Sequence, residues 1–166
     1  GCSANFWLRA MGWFLVAMVD VLERMDEQMY YEYRAIMAMF KEAVEAMIQF
    51  QDAETGMFWQ VIDKAGVPGN YLETSGSAVL KGVRLGYLPK RFRAYGEKAF
   101  YGTCDKYLGV NDKGELQLSG ICLVAGLGGA TRRDGSLEYY FSEPVVENDA
   151  KGVAPLLLAY TEMIIQ

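Results

Sequence analysis

Apolar residues occupy nearly every side of residues 6–24, which predicts a helix buried deep in a core. Ser3 or Asn5 is placed to cap it, and Asp20 and Arg24, four apart, to pair at its exposed end. After a connector at 25–28, residues 30–51 carry Ile36, Met39, Phe40, Val44, Met47 and Ile48 at helical spacing. Glu32, Arg34, Lys41, Glu42 and Glu45 lie on the opposite side, so this second helix belongs at a surface. Residues 52–56 form a turn, 57–63 a short extended segment, and 64–70, with Gly66, Pro68 and Gly69, a loop. A third helix is predicted from Thr74 or Ser75 to Tyr87, stopped by Gly86 and Pro89, and a fourth over 90–107. Between 109 and 148 no helical pattern stands out. The alternation at 115–119 and the aromatic run at 137–142 read as two short strands. The last helix covers 150–165, capped by Asn148 or Asp149, with Pro155 tolerated near its first turns.

The connections alternate. Short ones separate the first helix from the second and the third from the fourth, while the long ones, 51–74 and 109–148, follow the second and fourth. This is the pattern of helical hairpins stacked side by side, with the long loops gathered on one rim where a site can be built. The expected fold is mostly α, a single unit over 1–166 of about five helices with short β strands in the long loops. The apolar first, third and fifth helices make an inner layer, and the amphipathic second and fourth an outer one.

Composition narrows the chemistry. The 166 residues are 52% hydrophobic and 22% charged, a range that fits one folded domain and excludes a disordered chain. A net charge of −5 disfavours nucleic acid and anionic membrane as partners. The longest uncharged apolar run, residues 10–19, is about half of the roughly 20 residues a membrane span needs, so no membrane partner is expected. There is no His, which removes Ser–His and Cys–His catalysis and His-ligated metal, and leaves acid–base work to carboxylates, Tyr or Lys. Cys2, Cys104 and Cys122 are too far apart for a zinc site and read as free thiols of a reducing compartment, so a cytoplasmic location is expected. The chain opens on Gly1 rather than Met and runs directly into a helical pattern, as if its beginning were missing.

Trp7, Arg9 and Trp13 form the sharpest constellation. Arg9 and Trp13 share a helix face, and Arg9 stands in the first turn, where the helix dipole disfavours a cation. It calls for an anion or an aromatic face in compensation. From spacing alone two readings stand: a carboxylate site with aromatic platforms for a sugar, or an Arg reaching out of a core between two packed indoles. Glu73 is either an acid/base or sugar-hydroxyl acceptor, or a carboxylate satisfying the start of the third helix, and the second is preferred. Residues 125–129 are glycine-rich but lack the Lys-Ser/Thr ending of a phosphate loop. Glu143, Glu147 and Asp149 crowd before the last helix and read as capping groups in a solvated loop.

The run FWLRAMGWFLVAMVDVLE resembles the signature of the unsaturated rhamnogalacturonyl hydrolases of glycoside hydrolase family 105, relatives of the unsaturated glucuronyl hydrolases of family 88. The likeness continues through QDAETGMFWQV, GNYLETSGSA, KGVRLGYLP, AGLGG and RDGSLEYYFSEPVVENDAKGVAPLLLAY, and so covers essentially the whole chain. It implies an (α/α)6 barrel. It also implies hydration of the C4–C5 double bond of the unsaturated uronic acid that a polysaccharide lyase leaves at an oligosaccharide's non-reducing end. An aspartate serves there as acid and base, without metal or organic cofactor. Trp7, Arg9 and Trp13 match the family's pocket motif, which favours the first reading of that triad. Trp59, Tyr71 and Glu73 join it as pocket rim by analogy.

The resemblance also places the catalytic aspartate, and an active-site histidine, upstream of the FWLRAMGW segment with which this chain begins. The chain is therefore expected to be the C-terminal part of such an enzyme and inactive alone, its catalytic residue unknown. Its expected partners are an unsaturated uronic-acid oligosaccharide and either the missing N-terminal half of the barrel or a second copy. A sugar-binding or interaction module without catalysis is the alternative, and takeover of the acid–base role by Glu73 or Asp149 a third reading.

Overall fold

The computed structural model describes residues 3–26, 28–73, 77–129 and 133–165. Cys2 and the small-residue start of the third helix at 74–76 lie outside the described residues. Among the described residues six α-helices form: α1 (Leu8–Arg24), α2 (Tyr30–Ile48), α3 (Ser77–Arg84), α4 (Arg93–Tyr107), α5 (Leu137–Ser142) and α6 (Ala150–Ile164). Three two-stranded antiparallel ribbons decorate the connections. They pair β1 (Phe58–Trp59) with β2 (Leu72–Glu73), β3 (Leu108–Val110) with β4 (Leu116–Leu118), and β5 (Ile121–Cys122) with β6 (Val145–Val146).

The buried positions of α1 are Leu8, Arg9, Leu15, Met18, Val19 and Leu22, and those of α2 are Phe40, Val44 and Met47. These stripes meet in one core, joined by Val79, Leu88, Phe92 and Ala99. α3 packs between α1 and α6, α2 packs on α1, and α4 packs on α3 and α6. This is the expected arrangement of α1, α3 and α6 in one layer with α2 and α4 outside it. Ion pairs tie the inner layer together. Lys81 of α3 meets Asp20 at 2.6 Å and Glu23 at 2.7 Å on α1, and Arg84 clasps Glu162 of α6 with two bonds of 2.6 and 2.9 Å.

The helix stops follow the sequence. Gly86 takes a left-handed φ of 75°, which lets the amides of Tyr87 and Leu88 both return to the Gly82 carbonyl and close α3. Asp149 caps α6 by accepting from the Lys151 amide at 2.9 Å. Gly102 is a close-approach position: a Cβ there would stand 1.9 Å from the Thr55 carbonyl oxygen, so only glycine lets α4 lie against the 52–56 turn.

Several expectations are corrected. The described residues form six α-helices rather than about five, because residues 137–142 are helical and not a strand. Their aromatic residues favour extended chain locally, but Ser136 caps the turn by accepting from the Tyr139 amide at 3.1 Å, and the helix buries Tyr140 against Trp7. Trp7, not Ser3 or Asn5, is the residue before α1. The Ser3 hydroxyl instead meets that of Tyr140, and Asn5 donates to the Gly135 carbonyl. Asp20 pairs with Lys81 of α3 rather than with Arg24, since the neighbouring helix brings a cation to it across the layer. α1 is also not buried all round: Phe14 and Val21 are each 47% exposed. Among the described residues, no helix is long and apolar enough to cross a membrane.

Candidate functional site: a cationic cleft between two indoles

The site forms where the start of α1 meets two loop ribbons. Trp7 bridges Val61 in antiparallel fashion, the Leu8 amide donates to the Gln60 carbonyl at 2.8 Å, and the Ile62 amide donates to that of Phe6 at 3.0 Å. This anchorage fixes the helix mouth against the segment after β1. The Trp7 ring stacks on Tyr140 with centroids 6.0 Å apart and 22° between planes, and the Arg9 guanidinium lies 4.8 Å from the Trp7 ring centroid.

Arg9 is 4% exposed, a rare burial for a guanidinium in a first helical turn. Its Nη1 donates to the Cys122 carbonyl at 2.5 Å and stands 3.7 Å from Glu73 Oε1. Trp13, one turn further along α1, is half-exposed. Together Trp7, Arg9, Ala10, Trp13, Val124, Ala125 and Lys151 line a cleft of about 170 Å³. The described lining thus offers two cations and two indoles and contains no carboxyl group. Lys151 approaches from the start of α6, where it pairs with Asp149 at 2.7 Å.

Behind Arg9 lies a second, largely buried shell. Glu73, 3% exposed, sits in β2 opposite Phe58, and its Oε1 accepts from the Cys122 amide at 3.4 Å. This replaces the preferred reading of Glu73 as a helix-start carboxylate: pairing of β1 with β2 turns its side chain inward, toward α1 and β5. Burial pushes its pKa up to about 7, against the pull of Arg9 and the Cys122 amide. Tyr71, whose carbonyl receives the Gln60 amide at 2.7 Å, has a buried hydroxyl held well above the usual phenol range by burial and by the Glu73 charge. Gln60, completely buried, donates from Nε2 to the Tyr140 carbonyl at 3.1 Å. Trp59 pairs with Leu72, on the face of the ribbon away from Glu73, and does not line the cleft.

Unsatisfied buried polar atoms concentrate here. Trp7 Nε1, Arg9 Nη2, Gln60 Oε1, Tyr71 Oη and Glu73 Oε2 all lack a partner among the described residues. Native interiors hold few such atoms, so their clustering around Arg9 sets this region apart from the rest of the core. Among the described residues no three His, Cys, Asp or Glu side chains gather into a metal-binding group. The glycine-rich segment serves as a wall: the Gly126 amide donates to the Tyr139 hydroxyl at 3.0 Å, and Ala125 faces the cleft.

Residues 1–165 match the family model described as Glycosyl Hydrolase Family 88. The chain belongs to that family. This family 88 chain superposes on a C. acetobutylicum glycoside hydrolase from family 105 with a TM-score of 0.92 and 40% identity, over 98% of its own length and 46% of the other chain. A possible family 105 member from Salmonella enterica superposes at 0.74 with 25% identity, over 95% of this chain and 39% of that one. A 24.9 kDa protein in the picA locus of Rhizobium radiobacter is 37% identical over 177 residues, which cover 99% of this chain and 74% of that protein. The two helical layers are thus part of an (α/α)6-type barrel, and the chain spans less than half the length of the solved relatives it matches.

Sequence reasoning brought Trp7, Arg9 and Trp13 to one place but missed Gln60, Cys122, Tyr140 and Lys151. Gln60 and Lys151 fall inside quoted motifs, where their types are a signal. Cys122 acts through its main chain, which leaves no signature in residue identity.

Proposed function

We propose that this chain supplies the sugar-binding side of a glycoside hydrolase. The substrate is an unsaturated uronic acid at the non-reducing end of a lyase-generated pectin oligosaccharide, and the reaction is hydration of its C4–C5 double bond. The observation that carries this reading is the cleft lining: Arg9 and Lys151 supply positive charge, and Trp7 and Trp13 supply flat apolar faces. A uronate presents a carboxylate beside an apolar ring face, the complement of that lining. Protonation at C4 and attack of water at C5 need a carboxyl at the sugar, and the described lining provides none. We therefore place the acid–base aspartate in a further part of the enzyme, and expect this chain to bind without turnover.

The expected result is measurable heat on titrating the chain with an unsaturated uronyl disaccharide, with no loss of the sugar's double-bond absorbance. Arg9→Ala should weaken binding at least tenfold, the order of effect of losing a charge-assisted contact. Wild-type chain that binds no better than Arg9→Ala, or that consumes the double bond, overturns this reading.

We further propose that the open apolar margins are covered, by other barrel helices in a longer enzyme or by a second copy when this chain stands alone. The accessible surface is 9539 Å², against about 8,200 Å² for a compact protein of this mass. Leu157, Tyr160, Phe100, Leu108 and Leu116 border an apolar groove of about 420 Å³ between α4, α6 and the β3–β4 ribbon. Gel filtration with light scattering should give a mass above 18.6 kDa, and a strict monomer at micromolar concentration would count against self-association.

A further inference from the structure

Arg9 and Glu73 face one another with 4% and 3% of their side chains exposed, yet their contact is loose. The 3.7 Å from Nη1 to Oε1 exceeds a hydrogen bond, and Nη1 is committed to the Cys122 carbonyl. Glu73 Oε1 receives one long amide bond from Cys122, and neither Oε2 nor Arg9 Nη2 has a partner among the described residues. A buried carboxylate is comfortable when two or three donors reach it. Glu73 has one, so its charge depends on the guanidinium. A sugar carboxylate entering the cleft draws on the same cation. Two anions around one buried guanidinium leave an uncompensated charge in a medium of low dielectric.

We propose that Glu73 is the exchangeable counter-ion of Arg9: when a sugar carboxylate takes the guanidinium, Glu73 takes up one proton from solvent and remains as the neutral acid. This rests on the uronate reading of the cleft and gives Glu73 a positioning role through Arg9, without contact to the sugar. No bond to the sugar forms or breaks; one proton moves from buffer to a Glu73 carboxyl oxygen.

The groups facing Glu73 come from four elements. They are Arg9 on α1, Tyr71 before β2, Tyr107 at the end of α4 and Cys122 on β5. Burial and the Glu73 charge raise Tyr71, Tyr107 and Cys122, so all three stay neutral near pH 7. Glu73, pushed up to about 7, is poised to change charge there. Farther out, Asp149 is held low by Lys151 and by the field of Arg9, and Glu143 adds its charge to the surroundings of Cys122. The sugar's own carboxyl, with a pKa near that of an α-carboxyl at about 3.5, does not titrate in this window.

The test is calorimetric titration of the full chain with an unsaturated uronyl disaccharide, at pH 7 in buffers of different protonation enthalpy and from pH 6 to 8.5 in one buffer. A ligand that raises the pKa of Glu73 binds its protonated form better. The apparent enthalpy should therefore reveal net proton uptake of about half a proton at pH 7, where Glu73 is half-protonated before the sugar arrives. The Kd should weaken as pH rises past 7, by as much as about tenfold per pH unit. Glu73→Gln, a neutral mimic of the protonated acid, should bind with no buffer dependence and a flat pH profile. A Glu73 with a structural role only would give flat profiles in both proteins. Binding without proton uptake overturns the counter-ion role and leaves the uronate reading standing, whereas absence of binding overturns both. Should Glu73→Gln fail to fold, the wild-type buffer series decides alone.

Discussion

Phe40→Ala is expected to destabilise the chain by about 3–5 kcal/mol, the cost of a large aromatic truncation at a fully buried site. Phe40 has no exposed surface, and it links the two helical layers: projecting from α2, its ring lies so close to α3 that a Cβ on Gly82 would come within 2.8 Å of it. The void left by alanine cannot close unless α2 moves against both α1 and α3. Against a total stability of about 5–15 kcal/mol for an ordinary domain, such a loss is a large share, equivalent to about 10 °C in melting temperature. Met39→Ala is the internal control. Met39 is 49% exposed on the same helix and should change stability by no more than about 0.5 kcal/mol. Urea unfolding of the two variants side by side makes the comparison, and equal midpoints would show that the layers are not packed through Phe40.

The second large effect is one of pH. Burial raises the pKa of Glu73 from 4.5 to about 7, so in the folded chain it holds its proton over a range where the unfolded chain has released it. Stability from this group is fully present below about pH 4.5 and is lost as pH rises through 7, after which the curve is flat. The difference amounts to about 3 kcal/mol across that window. Asp52 acts in the opposite sense. The Thr55 amide and hydroxyl, each 2.8 Å away, hold it below its usual 3.8, so its contribution is present above about pH 4 and lost on further acidification. Urea midpoints measured from pH 4 to 9 should therefore peak near pH 5 and decline toward pH 8. Glu73→Gln should remove most of that decline. A wild-type midpoint that does not fall between pH 5 and 8 would mean that Glu73 is not buried as described.

The helical framework was legible because it rests on local signals. The Phe40, Val44 and Met47 stripe, the Gly86 stop and the Asp149 cap are all written in residues close to one another. The short connector and the long loops likewise announced the hairpins. The errors fall where a distant partner outweighs the local signal. Leu137–Ser142 looks extended by composition, but its helix is secured by Ser136 and by the stack of Tyr140 on Trp7, more than 130 residues away in sequence. Asp20 had a helical partner in Arg24, and α3 offered Lys81 instead. At the site, the placement of Arg9 at a helix start was informative because a cation there opposes the dipole and demands an explanation. Glu73 gave no such warning. Followed by Thr74 and Ser75, it carries the local marks of a helix start, and only the convergence of α1, β2 and β5 reveals its burial.

The bond from Arg9 to the Cys122 carbonyl has an evolutionary corollary. A main-chain acceptor is present whatever side chain position 122 bears, so drift there, from cysteine to serine or alanine, leaves the cation anchored. The anchorage depends instead on the register of the ribbon, in which Cys122 faces Val145 and the Leu123 amide donates to the Pro144 carbonyl at 2.7 Å. Among homologues, insertions between 122 and 145 that preserve this register should be common. Shifts of one residue within it should be rare, because each would carry the carbonyl away from the buried guanidinium of Arg9.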